Sequence, residues 1–255
     1  VVNSHEVVVN SFYLAYYGRP ADPAGLAFWS MQLERAGGDF GLLIDAFAGS
    51  EEATVRFQGD TTAERIATIY QQLFDRAPDA GGLAFWVDAV EQGHATLASV
   101  AVAMLQGAQG SDIAISMLRQ QAAADFTSLV DSSGIAFDGY AAIEASRALV
   151  SAVRADTSAA DIAAMVKAAG SLVQTIHDNP AVLAALGSNG QLASLFATAR
   201  GQAESADLLQ ALADVVHDVR DIAANISSGS FKTLGMAILP CSMKTLSGIV
   251  HSYTD

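Results

Sequence analysis

The chain contains one segment twice. Tyr13 to Trp29 and Tyr70 to Trp86 align without a gap at a constant offset of 57 residues, with eight identical positions: Tyr13/Tyr70, Arg19/Arg76, Asp22/Asp79, Gly25/Gly82, Leu26/Leu83, Ala27/Ala84, Phe28/Phe85 and Trp29/Trp86. The register continues through Glu34/Glu91, Asp39/Thr96, Ala46/Ala103 and Phe47/Met104. Self-similarity at a fixed period marks a supersecondary unit used more than once, so the fold must accommodate the same building block at both places.

Each copy reads as three helices. The first spans roughly Ser4 to Tyr17 and Thr62 to Phe74, because Val8, Val9, Phe12, Tyr13 and Tyr16, like Ile66, Ile69, Tyr70 and Leu73, recur at three and four residues and form one apolar face. Thr61-Thr62-Ala63-Glu64 fits a capping box. The chain then turns through Gly18-Arg19-Pro20-Ala21 or Asp75-Arg76-Ala77-Pro78, where proline blocks helix continuation. Asp22 or Asp79 is expected to cap the second helix, and Pro23 sits at its first position, where a missing N–H costs nothing. That helix carries Leu26, Trp29 and Leu33, or Leu83, Trp86 and Val90, and stops near Gly37 or Gly93. A third runs from Asp39 or Thr96 to about Gly49 or Gly107.

Beyond the second copy, Ser111 starts a longer helix to about Val130, broken by Asp131-Ser132-Ser133-Gly134. The expected organisation is a duplicated helical domain over residues 1–130 (copies about 4–50 and 61–107), a second helical region over 131–226, and a C-terminal segment, 227–255, of unassigned structure. In the second region, helices are expected over Tyr140 to Val153, from Ser158-Ala159-Ala160-Asp161 to His177, from Asn179-Pro180 to Leu186, and over Ala206 to Ile226. Gly187 to Gly190 reads as a turn. Strand-like alternation is nearly absent, so the fold class is all-α: tandem three-helix repeats followed by a second helical bundle region.

Composition narrows the function. Lys+Arg 13 against Asp+Glu 27 leaves a net charge of −14, and a phosphate backbone is bound through many surface cations, which disfavours nucleic acid. No apolar run reaches the ~18 residues of a membrane-spanning helix, so no transmembrane segment is expected. One cysteine, Cys241, excludes an internal disulfide framework or a multi-thiolate metal site. His5, His94, His177, His217 and His251 show no pair three or four apart, which argues against zinc. Nucleophile-elbow, phosphate-loop and dinucleotide glycine motifs are missing. The start, Val1 to Val9, lacks the basic segment of a signal peptide and has no Met, so a fragment, a processed product, or export through a signal beyond the chain is expected.

The ordered string of aromatic, Arg, Pro, Asp, Gly-Leu and Phe-Trp, present as Tyr70 to Trp86 and again as Tyr13 to Trp29, resembles the domain-of-unknown-function family DUF4214. The resemblance covers residues 4 to about 110, and copy one departs from it by placing prolines on both sides of Ala21-Asp22. It implies a helical module of secreted bacterial surface-layer proteins or type I secreted calcium-repeat proteins. It brings no catalytic site. The calcium-binding glycine repeat is absent from this sequence, so no cofactor is expected in the chain, with calcium left open.

Two uses compete for the repeated side chains. Arg19 and Arg76, with Asp22 and Asp79, have the chemistry to read a polyhydroxylated or acidic ligand; equally, each Asp caps a helix and each Arg ties down a turn, which is the favoured reading. Phe28/Trp29 and Phe85/Trp86 are expected in the core ahead of a sugar-stacking role. Adjacent Tyr16 and Tyr17 are expected to diverge, one meeting solvent or a partner. The candidate ligand-binding residues are therefore Tyr16, Tyr17, Arg19 and Arg76, and the structural motif is Asp22, Asp79, Gly25, Gly82, Trp29 and Trp86. The carboxylates Asp75 with Asp79, and Asp214, Asp218 and Asp221, are weaker calcium candidates, the latter group reading as a solvated face.

The expected function is a non-enzymatic module of a secreted bacterial cell-surface protein that attaches to cell-surface polysaccharide or lipopolysaccharide, or to copies of itself. The alternatives are an enzyme or accessory domain with its site in 131–255, and a purely architectural self-assembly spacer.

Overall fold

The structure, a computed structural model, describes residues 4–137, 139–178 and Phe196. Over these residues the chain is all-α. Helix α1 (Ser4–Phe12) runs into a π-helical turn (Tyr13–Tyr17) and is followed by α2 (Pro23–Arg35), α3 (Gly41–Ala48) and α4 (Glu51–Arg56). Next come α5 (Thr62–Phe74), α6 (Ala80–Glu91), α7 (Leu97–Gly107), α8 (Ser111–Ser133), α9 (Gly139–Ala152) and α10 (Ala159–Asp178).

Helix starts follow side-chain caps. The Asp22 carboxylate accepts from the Gly25 N–H at 2.7 Å and Asp79 from Gly82 at 2.8 Å. Their backbones are nearly superposable, φ −70° and ψ 153° against φ −70° and ψ 159°, so the extra prolines of copy one leave the turn unchanged. Thr61 and Glu64 form the expected capping box. Ser158 and Asp161 exchange equivalent bonds ahead of α10, Ser158 N–H to Asp161 and Asp161 N–H to the Ser158 hydroxyl, each 3.1 Å.

Three local expectations are corrected. The third helix of copy one begins at Gly41, two residues late, because Asp39 accepts from the Gly41 N–H at 2.9 Å and Phe40 takes the cap position. Helix α8 continues through Asp131-Ser132-Ser133 and ends where Gly134 adopts φ 64°, since polar residues are tolerated in a last turn and only the left-handed residue stops it. A short fourth helix, α4, follows the three expected helices of copy one, started by Ser50, whose hydroxyl oxygen accepts from Ala53 N–H at 3.1 Å.

Two apolar clusters organise these helices. Copy one closes around Val9, Phe12, Leu33, Leu43, Phe47 and Phe57. Phe47 is its hub, with ring contacts to Phe12 at 5.8 Å, Tyr13 at 5.1 Å, Tyr17 at 4.8 Å and Trp29 at 5.8 Å. The larger cluster joins Ile66, Ile69 and Leu73 of copy two to Phe126, Leu149 and Met165. Apolar packing therefore runs across the expected boundary after residue 130, because α9 and α10 both pack on α8. The helices expected over 180–186 and 206–226, the turn at 187–190, Asp214, Asp218, Asp221, His217, His251, Cys241 and the segment 227–255 lie outside the described residues.

Candidate functional site

The turn between the first and second helix of each copy is built to one plan. Helix ends first: the residue after the first helix is left-handed in both, Gly18 at φ 67° and Asp75 at φ 57°. Asp75 is the one non-glycine residue among those described with positive φ. The next residue is the arginine. Arg19 forks onto Glu52, Nε to Oε1 at 2.8 Å and Nη2 to Oε2 at 2.7 Å, while Nη1 donates to the Pro20 carbonyl at 2.9 Å. Arg76 forks onto Asp112, Nε to Oδ1 at 2.9 Å and Nη2 to Oδ2 at 2.6 Å, while Nη1 donates to the Ala77 carbonyl at 3.1 Å. Each guanidinium also lies over two rings of its own first helix, Tyr13 (5.0 Å) and Tyr17 (5.5 Å) for Arg19, Tyr70 (5.4 Å) and Phe74 (6.0 Å) for Arg76.

Glu52 and Asp112 are the second residues of α4 and α8, so the recurring unit contains the start of a fourth helix that the sequence comparison missed. The fixed offset hides it. Arg19 and Glu52 are 33 apart, Arg76 and Asp112 36 apart, and an offset of 57 from Glu52 lands on Gln109. The legible signal was an acidic side chain in the first turn of the following helix, Glu51 and Glu52 after Ser50 and Asp112 after Ser111.

The two copies differ in burial. The Arg19 side chain is 7% exposed and that of Arg76 44%. Burial alone lowers the Arg19 pKa, but the hydrogen bond and charge of Glu52 outweigh it and hold it above the usual arginine range. Burial also raises the neighbouring phenols, Tyr13 and Tyr16 above the ordinary tyrosine value and Tyr17 up to about 12.

Helices α8 and α9 grip both turns. Arg147 of α9 donates to the Tyr17 carbonyl at 2.9 Å and to Glu52 at 3.2 Å, and pairs with Glu144. Arg119 of α8, 2% exposed, donates to the last-turn carbonyls of Gln71 and Gln72 at 2.6 Å each and to the Val153 carbonyl, and reaches Asp75 at 3.2 Å. Arg154 also pairs with Asp75. Burial pushes the Arg119 pKa down to about 10, which leaves it charged at neutral pH. Positive charge at the carbonyl end of a helix is the favourable pole.

This geometry places the predicted residues as follows. Arg19 is enclosed, with its whole fork engaged, and Arg76 is clamped although partly exposed. Tyr16 and Tyr17 are both buried, at 4% and 6% exposure, which corrects the expectation that one of them faces outward. The π-helical turn widens the helix at this point, and two separate surfaces cover the neighbours: Tyr16 packs on Phe57 (5.7 Å), Tyr17 stacks on Phe47 at 15°. Gly25 and Gly82 receive the Asp caps. Trp29 and Trp86 are half-buried, each on the core of its own copy. Their neighbours are the exception to the core expectation: Phe28 and Phe85 are 48% and 63% exposed, set edge-on against Trp29 (4.9 Å, 80°) and Trp86 (4.8 Å, 71°). Among the described residues no three His, Cys, Asp or Glu side chains converge as a metal site, and no helix is long and apolar enough to cross a membrane.

Fold and turn geometry together define an all-α module with a recurring arginine-clamped helical unit. Residues 44–109 match the family model described as Domain of unknown function (DUF4214), which covers the end of copy one and all of copy two. A second similarity is of another kind. The chain is 85% identical over 47 residues, 18% of its length, to flavin prenyltransferase UbiX of Escherichia coli (strain K12), of which it covers 25%. It is 81% identical over 47 residues to that of Salmonella typhimurium, with the same 18% and 25% coverage. With flavin prenyltransferase UbiX of Deinococcus radiodurans it shares 52% over 58 residues, 23% of this chain and 29% of that protein. The chain spans about a quarter of the length of the curated relatives it matches. No solved structure matches it.

Proposed function

We propose that the helical part is a non-enzymatic attachment module of a secreted bacterial cell-surface protein, holding it to cell-surface polysaccharide or lipopolysaccharide. One observation carries this reading: the same phenylalanine of the second helix, Phe28 and Phe85, is left in solvent in both copies beside a supporting tryptophan. An exposed ring held rigid by a neighbour offers a flat apolar face to the C–H face of a sugar at low conformational cost. Two such ledges on one body let a polymer engage both at once, so weak sites combine into tight attachment. The test is retention on cells with and without their surface polysaccharide, comparing the natural chain with Phe28→Ala, Phe85→Ala and the double variant. Preferential retention on glycan-bearing cells, reduced by each single change and lost in the double, supports the reading. Equal retention on both kinds of cell removes it.

The local identity to flavin prenyltransferase favours a second reading, in which the chain contributes part of an enzyme with its site in 131–255. Flavin prenyl transfer by the purified chain supports that reading, and inactivity under conditions where the Escherichia coli enzyme works counts against it.

A further inference from the structure

Three exposed apolar side chains come together among the described residues. Val7, Ile113 and Met117, at 41%, 45% and 63% exposure, line one cleft of about 250 Å³ between α1, the end of α7 and the start of α8, floored by Phe12, Phe40 and Leu105. Apolar groups left in water side by side mark contact surfaces more often than isolated ones do, and methionine adapts its shape to what it meets. Val7, Met117 and Gln120 also border a second cleft of about 650 Å³ that continues between α1, α2 and α8. Its character changes along the way. Glu6, Asp125 and Asp131 bring three carboxylates to its walls, and among the described residues neither cleft is lined by Lys, Arg or His. Asn10, 4% exposed, stands at the same wall, where its side-chain oxygen accepts from the Ala21 N–H at 3.1 Å. From Ile113 to Asp131 the shared wall is one helix, about 27 Å long at the helical rise.

We infer that the joined cleft receives an amphipathic, cationic peptide segment of a partner protein. Its apolar side chains seat against Val7, Ile113 and Met117, and its Lys or Arg side chains meet Glu6, Asp125 and Asp131, while Asn10 donates to a peptide carbonyl. The apolar anchor supplies affinity and the carboxylates supply direction along the groove, since a reversed peptide puts cations on the apolar end. An anionic ligand is repelled by the three carboxylates, and a neutral sugar leaves the apolar end unfilled. This inference concerns a different face chemistry from the Phe28 and Phe85 ledges and stands apart from the attachment reading.

The test uses the full chain and fluorescein-labelled synthetic peptides whose first half is Leu and Ala and whose second half is Lys and Ala, with a control carrying Glu for each Lys. Anisotropy titrations are expected to show binding of the Lys peptide, weakening as salt rises, and none of the Glu peptide. Asp125→Lys with Asp131→Lys is expected to weaken it at least tenfold. Because any basic peptide is drawn to a chain of net charge −14, a control with Glu51→Lys and Asp88→Lys makes the same charge change away from the cleft and is expected to bind as the natural chain does. Met117→Ser, at an exposed position, is expected to weaken binding without altering the circular dichroism spectrum. Equal binding by the two peptides, equal effects of the two charge variants, or no effect of Met117→Ser overturns the inference. Binding of dextran in place of the peptide, with shifts of the Asn10 side-chain amide signals, reassigns the cleft to a sugar and overturns it too.

Discussion

The two arginine clamps have the same bonds in different surroundings, so they offer an internal comparison of what burial does to one interaction. Arg19→Met keeps most of the side-chain volume and removes the fork onto Glu52. Breaking a buried pair by removing one partner costs about 3 to 5 kcal/mol, chiefly because the other charge stays behind. Here Arg147 still lies 3.2 Å from Glu52, which places the cost near the lower end, about 3 kcal/mol. For a chain of this size 1 kcal/mol shifts Tm by about 2 to 4 °C, so the expected fall is about 6 to 12 °C. Arg76→Met removes the same fork where the side chain is 44% exposed; there water and salt screen the pair, and the expected cost is at most about 1 kcal/mol. Urea unfolding followed by circular dichroism and by tryptophan fluorescence, with coincident transitions required, measures both. Added salt is expected to erase the Arg76 cost and spare most of the Arg19 cost. In a cycle with Glu52→Gln, the double variant is expected to lose less than the two singles together. Equal costs at the two sites, or a larger cost at Arg76, refutes the argument that enclosure gives the first clamp its strength.

Three further outcomes are expected. Gly25→Ala is expected to destabilise the chain by about 2 kcal/mol, because an added methyl collides with the buried Tyr13 hydroxyl and approaches Asp22, whereas Gly82→Ala, whose methyl meets the exposed Asp79 cap at 3.1 Å and no buried group, is expected to be neutral or to gain up to about 1 kcal/mol of helix propensity; thermal melts distinguish them. Asp75→Asn keeps a residue tolerant of φ 57° but removes the charge facing buried Arg119, so a loss of about 2 to 3 kcal/mol is expected, larger than for Asp75→Asn combined with Arg119→Met relative to Arg119→Met alone, as chemical denaturation will show. Tyr17 holds its proton up to about pH 12 in the folded chain, above the unfolded phenol value of about 10, so its contribution is complete below pH 10 and is lost as pH rises through 12; Tyr17→Phe is expected to flatten that part of the stability profile, and an unchanged slope contradicts it.

Much of the fold was legible because it is written in local rules. Apolar spacing of three and four residues located α1 and α5, and Asp22, Asp79, Thr61 and Thr96 marked helix starts by their ability to satisfy free N–H groups. The site was less legible because its partners are distant and its spacing is not conserved between the copies. Glu52 and Asp112 stand at different separations from their arginines, and Arg119 of α8, Arg147 of α9 and Arg154 of the connection after α9 all come from outside the duplicated segment. Tyr16 and Tyr17 defeated periodicity for another reason: a wheel drawn at the α-helical pitch misplaces side chains in a widened turn, and it takes no account of Phe57 arriving from beyond α4. Phe28 and Phe85 were assigned inward by residue type, but only the tryptophan of each pair has a core to enter.

The carboxylate that completes the second clamp sits at Asp112, three residues past the end of the family match at 109, on a helix of 23 residues that runs into the packing of α9 and α10. The stretch that the family model matches and the stretch that completes the second clamp are therefore different lengths of chain. A gene fragment trimmed at the limits of sequence similarity would encode Arg76 without its counter-charge and the end of α5 without Arg119, whereas one extended through residue 178 carries Asp112, Arg119, Arg147 and Arg154 together.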